Sequence, residues 1–162
     1  MPNLRTDHLA FPSFDARVTH RFHTEVMGFP LVHAQSGPSS TWGKEYLLTA
    51  YAIGDGRAID FFEHDGMQRP EPDGLPNDIR HVGLATSSRK DLERWKARLD
   101  QHGVRWYVED HGDDEHLYFS DPNGVLFEIT AEEDVLSSQA PSKEALEVVE
   151  RWTAARVTRP PA

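Results

Sequence analysis

The sequence predicts an α+β fold: two tandem βαβββ modules followed by a C-terminal helix. Three observations carry the prediction. Short runs with two-residue alternation flank one amphipathic helix in each half. A Pro/Gly-rich stretch, Asp65 to Asp78, divides the chain. After it the same order of elements restarts, with histidine, glycine and carboxylate residues at matching points.

In the first half, "LRTDHLAF" (Leu4 to Phe11) alternates as a strand. "SFDARVTHRFHTEVMGF" follows as a helix with Val18, Phe22 and Val26 on one stripe and Gly28 at its C-terminal end. Strands are predicted at Phe29 to Ala34, Glu45 to Ile53 and Arg57 to Glu63, the last two joined by a hairpin turn at "GDG", Gly54 to Gly56. No helix follows that glycine pair, so it is not read as a phosphate loop.

The second half opens with the strand "IRHVGLA". Ser88-Arg89-Lys90-Asp91 is a capping box for a helix that places Leu92, Trp95 and Leu99 on one side and stops at Gly103. "VRWYVED", "HLYFSD" and "GVLFEIT" supply three more strands. Module 1 spans about 4–64, the linker 65–78 and module 2 about 79–130, within one domain over 1–135. A tail over 136–162 contains "SKEALEVVERWTAARV", an amphipathic helix expected to pack on the body or on a second subunit through residues such as Trp152.

The repeat holds at single residues. His8 follows "LRTD" and His81 follows "NDIR"; the helices end at Gly28 and Gly103; Gly56 precedes Asp60 by four positions as Gly124 precedes Glu128. Strand parity then sorts the side chains. Leu9 and Phe11 oppose His8 and Ala10; Val82 and Leu84 oppose His81 and Gly83; Ile59 and Phe61 oppose Asp60 and Phe62; Phe127 and Ile129 oppose Leu126 and Glu128. A merely wet face would carry Lys, Thr, Ser and Gln. These faces offer two imidazoles and two carboxylates at repeat-equivalent sites, which points to a metal.

Composition narrows the chemistry. The 162 residues contain no cysteine, so disulfides, iron–sulfur clusters and thiolate sites are excluded and any metal is held by nitrogen and oxygen. A net charge of −10 with no basic cluster argues against nucleic acid as a partner. No apolar run reaches the length of a membrane span and the N-terminus lacks a signal-peptide layout, so the expected location is the cytoplasm. The nine histidines are the richest chemical resource left. Of these, His20 and His23 on the first helix read as surface or packing residues.

The repeated modules, His8 and His81 in their first strands, and the closing "DPNGVLFE" ending in Glu128 resemble the vicinal oxygen chelate superfamily of glyoxalases, bleomycin- and fosfomycin-resistance proteins, epimerases and extradiol dioxygenases. The resemblance covers Leu4 to about Thr130. It implies a curved mixed β-sheet cup around one divalent metal, whose open positions take two neighbouring oxygens of a small-molecule substrate. His8, His81 and Glu128 match the metal-ligand positions. Asp60 stands where the glyoxalase I-like enzymes and epimerases place a fourth, carboxylate ligand.

The run "HGDDEHLYFSDPNGVLFE" from His111 also resembles the extradiol dioxygenase signature through Leu117, Tyr118, Asp121, Pro122, Gly124 and Glu128, departing from it just upstream at Glu109. That resemblance implies a dioxygenase of catechol-like substrates with Fe(II) favoured, His64 as base, and His111 or Tyr118 as proton donor. Asp60 argues for the alternative, a glyoxalase I-like lyase, isomerase or epimerase that stabilises an enediolate on Ni(II), Zn(II) or Mn(II). A metal-free ligand-binding protein of the bleomycin-resistance kind is the third reading. A homodimer is the expected assembly.

Overall fold

The computed structural model of the chain describes residues 5–110, 115–131 and 141–154. Eight strands form in the predicted order: β1 His8–Pro12, β2 Leu31–Ser39, β3 Lys44–Ala52, β4 Ala58–His64, β5 His81–Thr86, β6 Trp106–Asp110, β7 Glu115–Ser120 and β8 Leu126–Ala131. They make two four-stranded mixed sheets, ordered β1-β4-β3-β2 and β5-β8-β7-β6, each with one parallel pair. The repeat extends to the register. Ala10 lies opposite Asp60 in β1–β4, and Gly83 opposite Glu128 in β5–β8.

Helix α1 (Ala16–Arg21) is capped by Asp15, whose side chain accepts the Arg17 and Val18 amides. It runs on into a π-helical turn, Phe22–Val26, closed by the Met27 amide on the Phe22 carbonyl. The extra residue per turn rotates the helix. Thr19, Phe22, His23 and Val26 are buried, while Val18, predicted to share the apolar stripe, is 44% exposed. Helix α2 (Arg89–Gln101) begins as predicted, with Ser88 Oγ accepting the Asp91 amide and donating to the Asp91 carboxylate.

The "GDG" turn joins antiparallel β3 and β4, with Gly54 and Gly56 both at positive φ. The linker carries a short 3-10 turn, Asn77–Ile79, where no regular structure was expected. Helix α3 (Lys143–Ala154) forms, yet none of its described residues is buried. No described helix is long and apolar enough to cross a membrane.

Tyr51, Ile59 and Phe61 of the first sheet, Leu117, Phe119, Phe127 and Ile129 of the second, and the inner faces of α1 and α2 share one core. His23 sits inside it. Its ring is fully buried, 4.5 Å from Phe61 and 6.0 Å from Phe127, so the imidazole packs as an aromatic bridge between modules. The turn before β8 locks the same junction. Asp121 accepts the Asn123 and Val125 amides; Asn123 accepts the Phe14 amide and donates to Thr19. On α2, Arg98 donates to the Val26 and Glu25 carbonyls. Because the helix-facing sides of both sheets meet in this core, the opposite sides, which carry the ligand candidates, look outward from it.

Candidate metal centre

The second sheet gathers four polar side chains on its outward face. Glu128 stands in β8 directly opposite Tyr118 of β7, and the Tyr118 hydroxyl donates to Oε1 at 2.5 Å. His116, two residues before Tyr118 and therefore on the same face, places Nδ1 2.5 Å from Oε1 as well. His81 Nε2 lies 3.0 Å from Oε2. The Glu128 side chain is only 12% exposed. Burial works against its charge, but the hydrogen bonds from Tyr118 and His116 and the charges of His81 and His116 outweigh it and hold the carboxyl below its ordinary range. Burial, followed by the hydrogen bond to Glu128, raises the Tyr118 hydroxyl, so the phenol stays protonated as a donor.

His81 is oriented from behind. Its Nδ1 donates to the Asp78 carbonyl at 2.7 Å, which turns Nε2 toward Glu128. Nε2 and Oε2 face each other, an arrangement satisfied by a proton on Nε2 or by a cation bound to both. Gly83 leaves the space beside them. A Cβ at that position would stand 3.4 Å from Glu128 Oε2.

The first sheet repeats the pattern with different neighbours. His8 Nδ1 is 2.9 Å from Asp7 Oδ2, which leaves Nε2 for a ligand. The hydrogen bond to Asp7 and then the charge of Asp60 raise the His8 pKa. Asp60 Oδ1 is buried without a hydrogen-bond partner. Burial raises its carboxyl pKa, partly offset by the charges of His8 and of His33 on β2. An orphaned carboxylate oxygen, a cleared space at Gly83 and an all-N/O donor set are what a hard or borderline divalent cation requires.

The structure therefore brings His81 to Glu128 and His8 near Asp60. Among the described residues of one chain, no three His, Asp or Glu side chains converge into a complete cation-binding group. Tyr118 joins the Glu128 cluster. His64 does not; it lies at the far end of β4, with its ring 5.9 Å from Trp42. His111 lies outside the described residues. Sequence reasoning missed His116 as a partner of Glu128 and His33 as a neighbour of Asp60, although strand parity with Tyr118 carried the signal for His116. Tyr107 also faces outward, stacked on Tyr118 with centroids 5.2 Å apart.

Residues 5–129 match the Glyoxalase/Bleomycin resistance protein/Dioxygenase superfamily. The chain belongs to this superfamily. Within it, the metallothiol transferase FosB of Bacillus licheniformis is 26% identical over 129 residues, covering 78% of this chain and 74% of FosB. Two solved structures share the superfamily fold. Lactoylglutathione lyase from Agrobacterium tumefaciens aligns with a TM-score of 0.58 at 15% identity, over 82% of this chain and 97% of that one. The antibiotic-binding protein TnmS3 from Streptomyces sp. CB03234 aligns with a TM-score of 0.58 at 22% identity, over 81% and 98%. A transferase, a lyase and a binder on one superfamily fold leave the activity to the site itself.

Proposed function

We propose that the protein is a divalent-metal-dependent enzyme that acts without oxygen on a small substrate with two neighbouring oxygens, as a lyase, isomerase or group transferase. His8, His81, Glu128 and Asp60 hold the metal. The observation that carries this reading is the buried, unpartnered Oδ1 of Asp60, which supports a second carboxylate ligand. The activities that the names of FosB and the Agrobacterium lyase state support the same class.

When bound, the metal would act as a Lewis acid toward the substrate oxygens. Tyr118 and His116 hold Glu128 ionised, so its carboxylate can accept a proton from the substrate carbon or oxygen and return it. Tyr118, kept protonated, positions that carboxylate. Its place opposite Glu128 also favours a second reading, an Fe(II) extradiol dioxygenase in which Tyr118 serves as proton donor, with His64 as base.

The outward faces of the two modules call for a partner. In a homodimer, the His8–Asp60 face of one chain meets the His81–Glu128 face of a second copy and completes the ligand set. The deciding experiment is a metal titration of wild type and Asp60→Ala, coupled to an oxygen electrode and a panel of catechols, hemithioacetals and epoxides. Retained metal in the variant, or oxygen uptake with a catechol, overturns the non-oxidative reading.

A further inference from the structure

The outward face of the first sheet carries more than His8 and Asp60. Along β4 the same parity presents Asp60, Phe62 and His64, and Tyr46 of β3 lies opposite His64. Trp42 comes from the turn between β2 and β3, where Ser39 Oγ accepts its amide at 3.1 Å and Gly43 turns the chain at φ +63°. Its ring stands perpendicular to both Tyr46 and Phe62, at centroid distances of 5.8 Å and 5.8 Å. Apolar packing in this sheet belongs to the helix side, where Tyr51, Ile59 and Phe61 are fully buried. Trp42 instead remains 45% exposed over two other rings on the open side.

Between this corner and β1 lies a shallow, largely open cleft of about 360 Å3, lined by β1 residues 10–12 and by Trp42, Phe62, His64 and Met67. The β1 residues opposite Asp60 and Phe62 are Ala10 and Pro12, small enough to leave the slot open. That volume suits a single aromatic ring with its substituents. Stacking on Phe62 and edge contact with Trp42 favour a flat π-system over an alkyl chain. Asp60 precedes Phe62 by two residues on the same face, so the carboxylate stands roughly 7 Å along the strand. A ring in the corner reaches it through a short oxygenated side chain. His64 Nδ1 donates to the Asp65 carbonyl at 3.0 Å, which leaves Nε2 to meet a hydroxyl at the rim.

We propose that Trp42, Phe62 and His64 form a subsite for the aryl group of an aryl-substituted vicinal-oxygen substrate, such as an aryl diol or aryl hydroxyketone. The proposal rests on the metal-dependent reading of the same face. Its test compares 1-phenylethane-1,2-diol with propane-1,2-diol, which share the two oxygens and differ in the ring. Both are titrated into the full-length protein, with and without divalent metal, by calorimetry and by NMR of the tryptophan indole N–H signals.

The phenyl diol is expected to bind about tenfold more tightly than the propane diol. It is also expected to shift the Trp42 signal, assigned by its absence in Trp42→Phe. In Trp42→Ala the phenyl diol loses about fivefold in affinity while metal stoichiometry is unchanged. Equal affinities, no binding of either diol up to the solubility limit, or an unmoved Trp42 signal at saturation overturns the subsite. Metal content of the same samples separates the two readings. Aryl preference without metal binding overturns the metal reading alone, and metal binding without aryl preference overturns the subsite alone.

Discussion

Tyr118 and Glu128 face each other across the β7–β8 ladder, with the phenol donating to Oε1 at 2.5 Å while Oε2 is turned to His81. One carboxylate is thus held on one side by a protonated donor and on the other by an imidazole fixed on the Asp78 carbonyl. Because the folded pKa of Glu128 is lowered, its stabilising contribution is complete above the unfolded carboxylate pKa. It is lost as the pH falls through the folded value.

Tyr118→Phe narrows that window. The acid-unfolding midpoint followed by circular dichroism is expected to move to higher pH, with a loss of ~1–2 kcal/mol at neutral pH. An unmoved midpoint would show that the phenol does not hold the carboxylate.

Asp60 has the opposite sign. Burial raises its pKa, so its contribution is fully present below the unfolded carboxylate pKa and is lost as the pH rises through the folded value. Metal-free Asp60→Asn should therefore melt ~2–4 °C above metal-free wild type at neutral pH. The difference should vanish in acid. Added divalent metal should reverse the order by protecting wild type more; a variant protected equally by metal argues against Asp60 as a ligand.

Gly83→Ala introduces a methyl group beside Glu128 Oε2 and meets no other heavy atom within 4 Å. Metal affinity should fall by about tenfold with little change in melting temperature. Calorimetric metal titration reads the first quantity and thermal unfolding the second. A large fall in stability with unchanged affinity would assign Gly83 to folding instead.

The proposed sharing of the ligand set between two copies predicts complementation. His8→Ala and Glu128→Ala homodimers should each bind metal poorly. Unfolding them together and refolding should restore one intact site per mixed dimer, measured as bound metal per chain. A set held within one chain would restore none.

Much of this was written in local pattern. The period-two alternation around His8, His81, Asp60 and Glu128 assigned each to the face opposite the apolar residues, because in a strand the direction of a side chain depends only on its position along the chain. The capping box at Ser88 was equally local, and it formed as read. The stripe on α1 was only partly so: Phe22 and Val26 are buried and His23 packs, but the π turn at Phe22–Val26 changed the rotation per residue and left Val18 exposed.

What lay beyond the sequence was every relationship that joins distant segments. Parity could place His116 and Tyr118 on one face, but only the β7–β8 register put both within 2.5 Å of the same carboxylate oxygen. It could not show that, among the described residues of one chain, His8 and His81 do not join one cation-binding group. The two apolar faces pack, through α1, α2 and the His23 bridge, into one shared core. Residue types and their alternation set which side chains each strand offers. Burial of the apolar sides decided which way those offers point.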